Sequence, residues 1–186
     1  MKITTIKISG LTPLLMHSGR LADPLEPATQ ALARLTSKRK KTLDDHKEMA
    51  KCEWYGSIYV DEKGHPCLPG EVLEASLVDG AKRFKMGTVA KSGIVVAESF
   101  KLIYDGPKTV DALWENGGFV KRYGVRVGQS RVMRARPIFM KWACRFDVTW
   151  DPSVVRDEKQ VREFAESAGI SGIGDWRPKF GRYELV

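Results

Sequence analysis

The segment Ile138–Trp150, IFMKWACRFDVTW, carries the strongest structural pattern in the chain. Apolar residues occupy every second position from one end of it to the other, and Lys141 and Arg145 are among the residues between them. Successive side chains of a β-strand point to opposite faces, so this period of two predicts one long strand with one buried side.

A helix is predicted on each side of this strand in the sequence. Glu71–Lys85 has apolar residues three and four positions apart, and Asp157–Ala168 has the same spacing, with Gly169 expected to stop the helix. Shorter segments rich in β-branched and aromatic residues predict further strands. They are Lys2–Ser9, Ser57–Val60, Ile94–Ala97, Phe100–Tyr104 and Arg182–Val186.

Without its insertions, this order is β-α-β-β-α-β, which predicts an α+β fold of the ferredoxin-like (RRM-like) type. We expect one domain over residues 1–186, because 186 residues suffice for one ordinary core and not for two. Two insertions are expected in it. Residues 11–64 would add helices over Asp23–Leu35 and Thr42–Tyr55 and a hairpin turn, and residues 106–137 would add a basic, flexible or bulged β-hairpin.

Positive charge is concentrated in one window, Asn116–Phe146, which contains eight basic residues and no acidic one. Since the whole chain carries a net charge of +8, the remainder sums to zero. Such segregation favours a polyanionic partner, because each neutralised phosphate releases counterions. The alternative is a solvated basic face that serves solubility. The predicted hairpin would present its arginines as an arm that follows a nucleic-acid backbone: Arg122, Arg126, Arg131, Arg134 and Arg136.

Two smaller basic groups extend this hypothesis. The run Lys38, Arg39, Lys40 and Lys41 lies between two predicted helices and is either a second contact or a solvated turn. The other group follows the second predicted helix in a glycine-rich loop, whose backbone N–H groups would approach phosphate while its aromatic residues stack on bases. The loop residues concerned are Gly172, Gly174, Trp176, Arg177, Lys179, Phe180, Gly181 and Arg182. The alternative is a tight helix-to-strand connection in which Trp176 seals the core and Arg177 pairs with Asp175.

Two segments resemble the RAMP superfamily, the RNA-binding subunits of CRISPR effector complexes and their RNA-processing relatives. Leu68-Pro69-Gly70 opening the helix Glu71–Lys85 is similar to the first helix of the backbone subunits, and Gly172–Arg182 resembles the glycine-rich loop of the superfamily. The resemblance implies binding of RNA or single-stranded nucleic acid and possible self-association along the strand. The ending GDWRPKFGRY is also similar to endings of bacteriophage proteins, which implies no function.

Several classes of protein are disfavoured. No segment has the roughly 18 apolar residues of a membrane span, and the start MKITTIKISG lacks the apolar core of a signal peptide, so we expect a cytosolic protein of a bacterium or a phage-infected host. Cys52, Cys67 and Cys144 are too scattered for a disulfide framework or a metal knuckle and are expected to be reduced. We expect no metal and no cofactor.

The sequence therefore predicts a non-catalytic protein that binds single-stranded nucleic acid, RNA in preference to DNA, through its phosphates. Two alternatives stay open. One is a metal-independent ribonuclease that uses His17, which lies in the loop after the first strand, as general base. The other is a phage structural or interaction subunit that binds itself or a host protein.

Overall fold

The computed structural model describes residues 1–186, apart from the side chain of Val127. The fold is mixed α+β, with six α-helices and antiparallel β-sheets in the part of the chain described. The elements in chain order are β1 (Lys2–Gly10), β2 (Leu14–Leu15), a 3-10 turn (Gly19–Ala22), α1 (Pro27–Thr36), α2 (Leu43–Ser57), β3 (Cys67–Leu68), α3 (Gly70–Lys82), α4 (Gly87–Gly93), β4 (Ile94–Val95), β5 (Phe100–Ile103), α5 (Val110–Asn116), β6 (Val120–Val127), β7 (Ser130–Phe139), β8 (Ala143–Trp150), α6 (Glu158–Ser171) and β9 (Tyr183–Leu185).

These elements form two compact units. Unit 1 comprises residues 1–15, 60–106 and 139–186, and unit 2 comprises residues 16–59 and 107–138. Unit 2 therefore consists almost entirely of the two segments that the sequence predicts as insertions.

Unit 1 is built on a sheet with the strand order β3-β5-β8-β1-β9, in which β4 also pairs with β8. β1 and β8 are antiparallel partners over eight residue pairs. Ile6 and Ile8 on β1, together with Phe146 and Val148 on β8, point to the face of the sheet that is buried. Helices α3 and α6 pack against each other and contribute the apolar side chains that complete this core.

The prediction of one long strand over Ile138–Trp150 is wrong. β7 ends at Phe139, the chain bends at Met140 and Lys141, and β8 begins at Ala143. Met140 is exposed, whereas Trp142 is buried and donates its indole N–H to the carbonyl oxygen of Thr12 at 2.9 Å. The apolar period of two in the sequence therefore spans a bend, in which Met140 is exposed and Trp142 is buried without being part of a strand.

The two predicted helices of unit 1 are present, with shifted ends. α6 continues past Gly169 to Ser171, and Gly172, at φ 81°, follows its last residue. Gly169 lies within the helix and packs against the backbone of Tyr183. A Cβ atom at this position would collide with the Tyr183 carbonyl oxygen. The position of a glycine in sequence therefore did not reveal which one ends the helix.

Unit 2 contains α1, α2, α5 and the hairpin of β6 and β7. Trp54 on α2 is fully buried, and its indole N–H donates to the carbonyl oxygen of Phe119 at 2.9 Å. The ring of Trp54 also meets those of Tyr55 and Trp114 edge to face. These contacts attach α2 to the start of the hairpin and to α5.

Three smaller expectations for this region need correction. α1 begins at Pro27 rather than at Asp23. Ser57–Val60 is not a strand, since α2 runs to Ser57 and Val60 forms only an isolated bridge with Pro66. The hairpin has no bulge: its register runs unbroken from Val120 opposite Pro137 to Val127 opposite Ser130.

The cysteines are free and buried. Burial raises the pKa of the Cys67 thiol to about 11 and that of Cys144 to about 12. Among the described residues, no helix combines the length and the apolar character that crossing a membrane requires.

Candidate nucleic-acid interface

Three arginines share one face of the hairpin. Residues directly opposite each other in an antiparallel pair point to the same side, and the register places Arg122 opposite Ala135 and Arg126 opposite Arg131. Because alternate residues of a strand share a face, Arg122 and Arg126 also point the same way. We call Arg122, Arg126 and Arg131 the arginine face; all three are exposed.

The arginine face lacks negative charge of its own. Like charges directly opposite on neighbouring strands repel each other, and Arg126 and Arg131 form such a pair. Among the described residues, no carboxylate lies within ion-pair distance of any of the three arginines, and the Nε of Arg126 donates only to the carbonyl oxygen of Gly128, at 3.1 Å. An external anion would relieve this repulsion.

Arg134 and Arg136 are not part of this exposed surface. Arg134 is half-buried and forms an ion pair with Glu53 of α2, whose other carboxylate oxygen accepts the backbone N–H of Ala135 at 3.0 Å. Arg136 is buried, with only 7% of its surface exposed. The sequence places both with the other hairpin arginines, but the structure uses them to hold the hairpin against the rest of unit 2.

His17 lies beside Arg136. A guanidinium nitrogen of Arg136 is 3.2 Å from Nε2 of His17, and the hydroxyl of Tyr59 donates to the His17 carbonyl oxygen at 2.9 Å. Because arginine can only donate, Nε2 must accept in this contact. The lone pair that a general base would use at this nitrogen is therefore already engaged.

Two residues of the run Lys38–Lys41 form hydrogen bonds near the start of α2, and the other two face solvent. The ammonium group of Lys38 donates to Asp45 at 2.5 Å, and that of Lys41 donates to the carbonyl oxygen of Lys38 at 2.8 Å. Arg39 and Lys40 are exposed. Half of this run therefore stabilises the connection between α1 and α2.

The glycine-rich loop does not present its backbone N–H groups as expected. Five of them donate to carbonyl oxygens of unit 1: those of Gly172, Ile173, Asp175, Phe180 and Gly181. Gly174, at φ 87°, has no room for a Cβ atom because the carbonyl oxygen of Leu15 occupies that space. The glycines allow close backbone packing, so the loop matches the alternative prediction of a tight connection between helix and strand.

The side chains of this loop are arranged differently from either prediction. Trp176 is 47% exposed at a positive φ of 53°, and the ammonium group of Lys179 lies 4.8 Å from its ring centroid. Phe180 is buried behind it. Arg177 pairs with Asp79 of α3 at 3.1 Å, not with Asp175. Trp176, Arg177, Lys179 and Arg182 are all exposed, and of the cations among them Arg177 is already paired with Asp79.

Unit 1 also carries a cationic group that the sequence analysis missed. Lys7 is directly opposite Arg145 on the face of the sheet that α3 and α6 leave open. β8 pairs with β5 on the side away from β1, with Leu102 opposite Cys144. Extending this register by one residue places Lys101 opposite Arg145. We call Lys7, Arg145 and Lys101 the cation row; it crosses three adjacent strands, a span of about 10 Å.

The cation row is exposed throughout, and no ion pair joins it to a carboxylate within the described residues. Asp147, the nearest acidic residue along β8 on the same face, accepts a hydrogen bond from Thr5 at 2.6 Å. The three cations are far apart in sequence, at positions 7, 101 and 145, so only strand pairing brings them together. A period-two pattern predicts that each faces solvent, but it does not predict that they are neighbours.

The sequence matches no protein-family model, and no curated protein matches it. The described residues contain no group of three or more histidine, cysteine, aspartate or glutamate side chains arranged to hold a metal ion.

Proposed function

We propose that this protein binds single-stranded nucleic acid, RNA in preference to DNA, through the phosphate backbone. The observation that carries the proposal is the arginine face: three exposed arginines on one side of a hairpin, two of them directly opposed, with no carboxylate to neutralise them. Guanidinium groups form paired hydrogen bonds with phosphate oxygens, and phosphates bound at Arg126 and Arg131 would offset the repulsion between these two residues.

The cation row supports the same proposal from unit 1. Lys7, Lys101 and Arg145 lie on the open face of a sheet and again lack carboxylate partners among the described residues. Exposed Trp176 with Lys179 above its ring is a third feature that suits a single strand, because an exposed indole offers a stacking surface for a base.

We further propose that unit 1 has a ferredoxin-like core. In support, the main elements of unit 1 follow the order β-α-β-β-α-β along the chain, as β1, α3, β5, β8, α6 and β9. Their strands lie side by side in the order β9-β1-β8-β5. Such a core would agree with the RAMP resemblance. Self-association along the strand and a cytosolic location stay predictions from the sequence.

We propose a binding role without catalysis. The contact between Arg136 and Nε2 of His17 supports this, because it engages one of the two ring nitrogens through which His17 could act as general base.

The test is fluorescence anisotropy with a labelled single strand of about 20 nucleotides, as RNA and as DNA, at several salt concentrations. For a single strand, log K falls with log salt by roughly 0.7 for each phosphate neutralised. The variant Arg126→Gln with Arg131→Gln should bind at least tenfold more weakly, and its salt slope should be smaller by about 1.4.

The matched control removes two positive charges at the start of α6, as Arg156→Gln just before the helix and Arg162→Gln within it. Both residues are exposed and paired with acidic neighbours, so this variant should bind nearly as the wild type does. The proposal is rejected if the wild type does not bind at low salt, or if the control loses as much affinity as the hairpin variant. Arg134 and Arg136 are left unchanged, because their replacement would disturb the interior of unit 2.

A further inference from the structure

A cleft of about 260 Å³ lies between α2 and the hairpin within unit 2. We call it the α2–hairpin cleft; its walls include Met49 and Ala50 from α2 and Arg122 and Met133 from the hairpin. Because Met133 is opposite Gly124 and Arg122 is opposite Ala135, these hairpin residues line the cleft from the same face as the arginine face. Arg134, which also lines the cleft, is on the other face.

The interior surface of the cleft is apolar and adaptable. Met133 is 55% exposed and lies on the same hairpin face as the three arginines, so its side chain is accessible to a bound group. Methionine has three rotatable side-chain bonds and makes favourable contacts between its sulfur and aromatic rings. With Met49 and Ala50 opposite it, the cleft suits a flat aromatic group.

The rim of the cleft offers hydrogen-bond donors. Arg122 is exposed and has only donors, and His46 also lines the cleft. The carboxylate in the cleft, that of Glu53, already accepts from Arg134 and from the Ala135 backbone. A group bound there would therefore need to be flat and aromatic with acceptor atoms along its edge, which describes a nucleobase.

The volume of the cleft and its distance from the arginine face further limit which group can bind there. Pockets for drug-sized ligands begin at roughly 300 Å³, so the cleft has room for one base rather than for a larger ligand. Along β7, Met133 is two residues from Arg131, a distance of about 7 Å. A strand whose phosphates lie at Arg126 and Arg131 thus has the cleft next to it.

We propose that the α2–hairpin cleft binds one nucleobase of the strand whose phosphates occupy the arginine face. This inference rests on the proposed function and adds to it a contact that depends on the base rather than on charge.

The experiment compares two oligonucleotides with equal numbers of phosphates, one intact and one in which abasic sites replace the bases. The wild type should bind the intact strand about tenfold more tightly, the usual scale of one stacked base. Ala50→Leu fills the cleft with a residue that favours helix. This variant should bind the intact strand about tenfold more weakly than the wild type does, it should bind the abasic strand as the wild type does, and its salt slope should not change.

The matched control is Ala33→Leu on α1, an exposed alanine outside the cleft, which should keep the preference for the intact strand. A second measurement does not depend on variants: NMR of ¹³C-labelled methionine methyl groups. The Met49 and Met133 signals should shift with the intact strand and not with the abasic one.

The outcomes separate the two proposals. Equal affinity for the two strands with a normal salt slope, and methyl signals that do not respond to the bases, would overturn the base site while phosphate binding stands. An absence of binding by either strand at low salt would instead reject the proposed function, and the base site with it.

Discussion

Asp45, which follows the basic run Lys38–Lys41, has a structural role at the start of α2. Its carboxylate accepts from Lys38 at 2.5 Å and from the Thr42 backbone N–H at 2.9 Å, and Thr42 in turn caps the Asp45 N–H. This capping box begins α2. The hydrogen bond from Lys38, together with the one from Thr42, lowers the pKa of Asp45 to about 2.

Lys38→Ala should raise the pKa of Asp45 towards the ordinary value of about 3.9, measured by NMR titration of the carboxyl carbon. A carboxyl whose pKa is lower in the folded state stabilises the fold above its unfolded pKa near 4, and this stabilisation is lost as the pH falls to about 2. The variant should therefore show a weaker fall in stability over that range. Lys47→Ala, which removes the partner of Asp44, is the control; an ordinary Asp45 pKa in the wild type would contradict the assignment.

Residues of one type within one short segment can have different roles. Arg131, Arg134 and Arg136 all lie on β7 within six residues, yet the first is exposed, the second pairs with Glu53 and the third is buried. The sequence predicts their charge and their strand. It does not reveal Glu53 as a partner, because Glu53 is separated from Arg134 by 81 positions.

At the scale of elements, α3 and α6 approach closely enough that glycine is required between them. A Cβ atom on Gly80 of α3 would collide with the carbonyl oxygen of Phe164 and crowd the backbone of Ala168. The hydroxyl of Ser167 donates to the Gly80 carbonyl oxygen at 3.0 Å, which adds a polar contact at the crossing. The two helices are recognisable in sequence from their apolar spacing, but their crossing point is not.

Gly80→Ala should destabilise the protein although alanine favours a helix by about 1 kcal/mol. Backbone atoms of α6 must move to admit the methyl group, and such overpacking costs about 1–3 kcal/mol. The free energy of unfolding in urea measures the result. Gly124→Ala is the matched control, because its Cβ atom would meet nothing nearer than the Met133 sulfur at 3.8 Å. Equal or higher stability of Gly80→Ala would contradict the close packing.

Over the molecule as a whole, the acid-free window Asn116–Phe146 is divided between the two units. Its hairpin arginines belong to unit 2, whereas Lys141 and Arg145 belong to unit 1, because the chain passes from one unit to the other after Ile138. Arg145 instead joins Lys7 and Lys101 in the cation row. Each unit therefore carries its own cationic surface.

If the cation row contacts phosphates, the variant Lys7→Gln, Lys101→Gln and Arg145→Gln should lower the salt slope of binding by about 2 and weaken binding at low salt. The loss in log K should add to that of the hairpin variant, since the two surfaces share no residue. Anisotropy titrations at several salt concentrations provide the measurement. The control removes three charges at the start of α6, as Arg156→Gln just before the helix and Lys159→Gln and Arg162→Gln within it. Equal affinity of the cation-row variant and this control would exclude the cation row as a phosphate contact.

The α+β class, most helices and strands, and the concentration of positive charge follow from the amino-acid sequence alone, because periodicity and composition are local properties of the chain. Tertiary structure decided the break at Met140 and Lys141, the division into two units, the burial of Arg136 and the assembly of the cation row. These features arise from contacts between residues far apart in sequence, such as Trp142 with Thr12 and Lys7 with Arg145. Local patterns specify which face of an element is apolar, but only packing decides which element covers it and which charges remain exposed.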